Sequence, residues 1–198
     1  MAGFSGIAAT GKSIERLLNA CFHEEEPVPG KKTRAVLVRT GDFDEKNAAN
    51  NIGSPALSIF LYRVDFNKSM RAAWSAVGSL KGMAHLAVDL HFLLTPWAEN
   101  AEFEHLVLGK AMQCIETMPI LSGPLLHPSP DWAPHESVQL ILEEISTEAL
   151  MRTFDSLSTD YRLSVPYIAR IIRIDSRKAS PDVPVTTLVT GIVPTTSL

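Results

Sequence analysis

The chain has 198 residues, 45% hydrophobic and 20% charged, which suits one globular domain, or one domain with an appendage, and excludes a disordered chain. Eighteen Lys and Arg against 22 Asp and Glu give a formal net charge of -4, so no basic field exists to hold nucleic acid or an anionic membrane. The opening MAGFSGIAATGKS has no basic region before an apolar one, and no run of about 18 apolar residues occurs. The expectation is a protein made and assembled in the cytoplasm, without direct membrane insertion.

Ile14, Leu17, Leu18, Cys21 and Phe22 recur at helical spacing and predict a first helix over about 5–23, stopped by Pro27 and Pro29-Gly30. Within it, Gly6 to Ser13 (GIAATGKS) matches the P-loop pattern letter for letter. That motif needs a buried strand feeding a loop whose amides cradle phosphates at a helix start. Met1 to Ser5 is too short for such a strand, so a plain helix is preferred and a nucleotide-binding module is the runner-up. Cys21 and Cys114 both fall on apolar helix faces and read as buried free thiols.

Thr33 to Thr40 reads as a short strand, and polar residues 41–54 as a long loop. In the strand Leu57 to Val64, Leu57, Ile59 and Leu61 face one side and Phe60, Tyr62 and Val64 the other. Such a strand is covered on both sides, or lends one face to a partner. The connection Asp65 to Gly82 carries Lys68, Arg71, Trp74 and Lys81. Leu86, Val88, Leu90, Phe92 and Leu94 then alternate with His85, Asp89 and His91 in a strand that Pro96 ends. Asp89 and His91 could turn two ligands toward one metal, but no third accompanies them, so a polar surface or subunit contact is preferred.

Asn100 caps the next helix, with a buried stripe of Phe103, Leu106, Val107, Ala111, Cys114, Ile115 and Met118. A Pro-rich loop spans Pro119 to Pro134, Val138 to Leu142 suggests a strand, and Ser146 or Thr147 caps a short helix through about Leu157. Glu143-Glu144 reads as solvated strand-end charge. Tyr161 to Ile174 is the last long strand, where Pro166 argues for an edge or a bulge. The fold class is therefore α+β, with a single mixed or antiparallel sheet and helices packed on one face. It fills residues 1–176; residues 177–198, rich in Pro, Thr and Val, form an extended C-terminal arm.

No nucleophile elbow, reactive cysteine or complete ligand set occurs, so the expectation is no enzyme, no cofactor and no metal. Function then lies in surfaces. Trp and Arg are enriched at binding hot spots, which makes Arg63, Lys68, Arg71, Trp74 and Trp97 interaction candidates. Val185, Leu188 and Val189 join them from the β-prone arm.

IERLLNACF, PALSIFLYRVDFNKSMR, LAVDLHFLLTPWAENAEFEHLVLGKAMQ and YRLSVPYIARIIRI come in one order along Ile7 to Ile174. Together they resemble the N-terminal domain of the cap, or tube-terminator, proteins of extracellular contractile injection systems. These are phage-tail-like particles with an inner tube, a sheath and a baseplate. The resemblance implies a tail-terminator-like fold and a hexameric ring on the tube end away from the baseplate. Such a ring ends tube growth and joins inner tube protein to sheath protein. It matches the family's Arg-containing strand end and following connection to Arg63 through Arg71. Longer cap proteins carry a further C-terminal region, so a cap adaptor or a baseplate-layer component of the same particle is the alternative.

Overall fold

The computed structural model of the chain describes residues 3–44, 48, 50–70, 85–128, 132 and 135–175. The predicted apolar stripe, Ile14, Leu17, Leu18, Cys21 and Phe22, is the buried face of α1 (Gly6–Glu24). Gly11 lets this helix approach β1 (Arg34–Val38): a Cβ there would lie 3.1 Å from Leu37 Cδ2. Polar side chains of α1 occupy the β1 backbone. Asn19 accepts the Ala35 N–H at 3.0 Å and donates to the Ala35 carbonyl at 2.8 Å, while Glu15 accepts the Leu37 N–H at 3.1 Å. An outer strand left bare offers these groups to another chain, and α1 takes them instead.

The remaining strands are β2 (Ala56–Phe66), β3 (His85–Trp97), β4 (Ile120–Ser122), β5 (Ser137–Leu142) and β6 (Val165–Asp175). They form one sheet in the order β1-β2-β3-β6-β5-β4. β1 and β2 run parallel and every other pair is antiparallel, so the sheet is mixed. α1 and α2 (Ala101–Thr117) pack on one face, over Leu57, Ile59, Leu90, Phe92 and Leu94. As the sequence indicates, the Asn100 side chain caps α2 by accepting the Phe103 N–H at 2.9 Å.

The third helix, α3 (Thr147–Asp155), lies on the other face, where Leu150 and Phe154 meet Phe43, Phe60, Leu93 and Trp97. One-sided packing therefore holds for the two long helices only. The reason is in β2 and β3, whose alternation is apolar on both faces at their Ala56–Trp97 end. That second apolar face needs its own cover.

Five local expectations are corrected. Cys21 and Cys114 are buried but not free: packing of α1 beside α2 sets their Cα atoms 6.3 Å apart, within disulfide reach, and their sulfurs are joined. The segment 41–54 holds a 3-10 turn, Thr40–Phe43, and buries Phe43, Ala48 and Ile52. The Pro-rich loop contains β4, anchored by fully buried Leu121. Pro96 stays within β3, paired with Leu57, and β6 begins at Val165 rather than Tyr161.

Two bulges re-aim side chains. In β2, Leu61 pairs with Phe92 and Arg63 with His91, leaving Tyr62 as the extra residue. Val64 therefore pairs with Leu90 on the long-helix face, not with the Phe60 side as simple alternation predicts. In β6, an interior strand, Arg170 and Ile171 together oppose Asp89. Pro166 precedes that bulge; β5 pairing starts beside it, at Tyr167, and its own carbonyl accepts the Glu143 N–H at 2.9 Å.

Candidate interaction face

Where α3 stops covering the outer sheet face, the alternation of β2 and β3 changes from apolar to charged. Arg63 and Asp65 on β2 pair with His91 and Asp89 on β3. Opposed residues of an antiparallel pair share a face, so these four stand together. The β2 bulge adds Tyr62 to them, and the end of β5 brings Glu143.

His91 and Glu143 lie at the centre, with side chains 5% and 7% exposed. His91 Nδ1 lies 2.8 Å from Glu143 Oε2, and Nε2 lies 3.3 Å from Asp65 Oδ2. Tyr62 donates its hydroxyl to Glu143 Oε2 at 2.8 Å, and Arg63 Nη2 donates to Glu143 Oε1 at 2.8 Å. Arg63 also reaches Asp65 at 3.0 Å, but both side chains are about half exposed, so that pair contributes little. Burial pushes the Glu143 carboxyl up; hydrogen bonds from His91 and Tyr62 and the charges of His91 and Arg63 outweigh it and hold the group below the ordinary carboxylate value. Burial and the bond to Glu143 push the Tyr62 phenol up.

A second group adjoins the first. Asn67 is buried and donates to both Asp89 oxygens, at 3.2 and 3.1 Å. Its Oδ1 accepts the Met70 N–H at 3.1 Å, which caps the turn that Lys68 opens. Arg170 Nε approaches Asp89 Oδ2 at 3.6 Å from the β6 bulge. Asp65, Lys68, Asp89, His91 and Arg170 line one shallow hollow. Charge of both signs thus stands on this face, rooted in buried carboxylates and exposed at Arg63, Asp65, Lys68 and Arg170.

Of the interaction candidates, Arg63 and Lys68 lie on this face. Trp97 does not: it is 8% exposed, donates its indole N–H to Ser58 Oγ at 2.9 Å, and lies 4.2 Å beneath the Arg162 guanidinium. The ring is packed into the second core because β3 continues through Pro96. Arg71, Trp74, Val185, Leu188 and Val189 lie outside the described residues. Sequence reading missed Tyr62, Asp65, Asn67, Glu143 and Arg170. The sequence reads Glu143 as solvated, and only the register that seats it beside His91 reverses that. The Asn before Lys68 was a legible cap signal.

The P-loop lookalike is helix throughout. Thr10 Oγ1 donates to the Gly6 carbonyl and Ser13 Oγ to the Ala9 carbonyl, at 2.8 and 2.7 Å, both fully buried. Ser13 Oγ also accepts the His127 N–H at 2.7 Å, and Lys12 pairs with Glu15 at 2.6 Å. The segment is helix rather than a loop, and the Thr10 and Ser13 hydroxyls are engaged inside the fold, so the phosphate-cradling loop the motif needs is not formed here. Among the described residues, no cluster of three His, Cys, Asp or Glu side chains is placed to hold a metal, and no helix is long and apolar enough to cross a membrane.

The family model described as the Pvc16 N-terminal domain matches residues 9–187. No curated protein matches the chain. Solved structures that share its fold include the following two. The PVC sheath/tube terminator of an extracellular contractile injection system, in its extended state, is 18% identical with a TM-score of 0.55, over 97% of this chain and 65% of that one. The tube-terminating cap of the anti-feeding prophage is 19% identical with a TM-score of 0.52, over 92% of this chain and 60% of that one. The chain thus spans less than two thirds of either neighbour's length.

Proposed function

We propose, since the chain belongs to the Pvc16 N-terminal domain family, that it is a structural terminator of a contractile injection system. In this reading it closes as a hexameric ring on the tube end away from the baseplate, stops tube growth and joins tube to sheath, without catalysis. The observation that supports it most is that a sheath/tube terminator shares the fold along nearly the whole chain, rather than along one motif. The sheet itself is consistent with a part built for contacts: the exposed Arg63, Asp65 and Arg170 of its half-face pair with Glu143, His91 and Asp89 beneath them.

A six-fold head-to-tail ring needs two different surfaces on each subunit. We assign one to the charged half-face with Arg63 and Lys68, continued by the connection with Arg71 and Trp74. The other is the arm after Ser176, with Val185, Leu188 and Val189, added as a strand to a neighbour's sheet edge. The β1 edge is already taken by Asn19 and Glu15. The β2 tip carries a bulge and two charges, features that discourage pairing. The β4–β5 edge, where Ile120 and Leu142 are 52% and 53% exposed, is the acceptor in this scheme.

The test is electron microscopy of tubes grown with and without the labelled chain. Label at one tube end, in a multiple of six copies, with tubes of limited length, is expected. Label at the baseplate, or at an internal layer, would instead favour the adaptor or baseplate-component reading.

A further inference from the structure

The Cys21–Cys114 bond has a particular place in the fold. It joins α1 to α2 at matching positions: the Cys21 carbonyl accepts the Glu25 N–H that closes α1, and the Cys114 carbonyl accepts the Met118 N–H that closes α2, each at 3.1 Å. The bond therefore ties together the last turns of the two long helices. Both cysteines are largely buried, at 8% and 4% exposed, but they border the surface. A surface cleft lined by Glu24, Glu25, Lys110 and Gln113 opens on both cysteines. Lys110 and Glu25 form an ion pair between the same two helices.

The bond is not the sole link between the two helices and the sheet. Ile14, Leu17, Leu18 and Phe22 of α1 and Val107, Ala111 and Ile115 of α2 lie in one buried apolar cluster with the sheet. A domain of this size buries enough surface to fold without a staple. A bond that supplements an apolar core and borders a surface cleft is suited to being made and broken in the native state.

We propose that Cys21 and Cys114 are a reversible redox modification site: a dithiol in a reducing compartment, and a disulfide clasp once the protein meets an oxidising medium. The oxidant is a low-molecular-weight disulfide small enough for the cleft. One cysteine thiolate attacks it, forming a mixed disulfide and expelling one small thiolate; the second cysteine thiolate attacks the protein sulfur of that mixed disulfide and expels the other. Two cysteine protons are given up, the two small thiolates take up two, and one disulfide is reduced as one forms. That the clasp closes on release of a particle rests on the terminator reading; the chemistry itself does not.

The test uses the full chain, equilibrated in glutathione buffers from fully reduced to fully oxidised without denaturant, then acid-quenched, alkylated and weighed by mass spectrometry. The expected result is smooth, reversible interconversion with unchanged far-ultraviolet circular dichroism, and a melting temperature about 5–15 °C higher for the oxidised form. Cys114→Ser should melt like the reduced form under both conditions. Reduction that occurs only after denaturation, failure of the bond to form, or equal melting of the two forms would overturn the proposal. Tube capping plays no part in this readout, so its outcome and that of the terminator reading are separately visible.

Discussion

Ser13 Oγ accepts the backbone N–H of His127 at 2.7 Å, tying α1 to the segment after β4. The serine that completes a P-loop spelling is thus a buried structural bridge. Ser13→Ala should strand the His127 N–H and cost about 1–3 kcal/mol in urea unfolding. Lys12→Ala removes an exposed ion pair with Glu15 and should change stability by less than about 0.5 kcal/mol. Neither substitution should alter calorimetric ATP titrations, because binding is expected in none of the proteins. Saturable ATP binding lost on Lys12→Ala would restore the nucleotide reading.

Glu143 supplies a pH signature. Its folded-state value is held below the ordinary 4.5, so the stability it contributes is fully present above that pH and is lost as pH falls below it. Glu143→Gln should destabilise the fold by about 1–3 kcal/mol at pH 7, through weakened bonds to Arg63, His91 and Tyr62. The gap between wild type and variant should narrow on acidification below 4.5. Thermal melts at pH 7, 5 and 3.5 check this, and a gap that widens toward acid would contradict the assigned hydrogen bonds.

The same residue shows where sequence reading stops. Strand order of apolar residues made β2, β3 and the long helices legible, because periodicity reports burial of each element directly. Glu143 carries no such signal: it is buried only because β5 ends beside His91, a relation set by pairing register across the sheet. The Tyr62 bulge is likewise invisible to alternation, and it moved Val64 to the other face. Helical spacing puts both cysteines on buried faces, but their proximity depends on how α1 lies against α2. Helix caps at Asn100 and Ser146, by contrast, are local chemistry and were readable as such.

Strand phase is open to a direct check. Leu90 is fully buried, and Leu90→Ala should cost about 2–5 kcal/mol. Its partner Val64 is 46% exposed, and Val64→Ala should cost far less. Asp89→Ala should cost about 1–3 kcal/mol, since it leaves the buried Asn67 amide without its carboxylate. Chemical denaturation of the three variants settles the ranking; equal losses at Leu90 and Val64 would mean the bulge is misplaced.

The proposed ring separates folding from assembly. Every described element ends by Asp175, so deleting residues 177–198 should leave a folded monomer with melting within a few degrees of the full chain. Lys68→Glu reverses an exposed charge on the half-face and should be equally well folded. Both variants should cap tubes poorly, because each removes one of the two surfaces a head-to-tail ring requires. Mixed together, they should not rescue one another into closed rings: a closed ring needs every one of its contacts, and both subunit types remain defective on one side. Counting labelled subunits at tube ends gives the decision. Full capping by the truncated chain, or a number that is not a multiple of six, would remove the arm and the ring from the account while leaving the fold and its charged half-face intact.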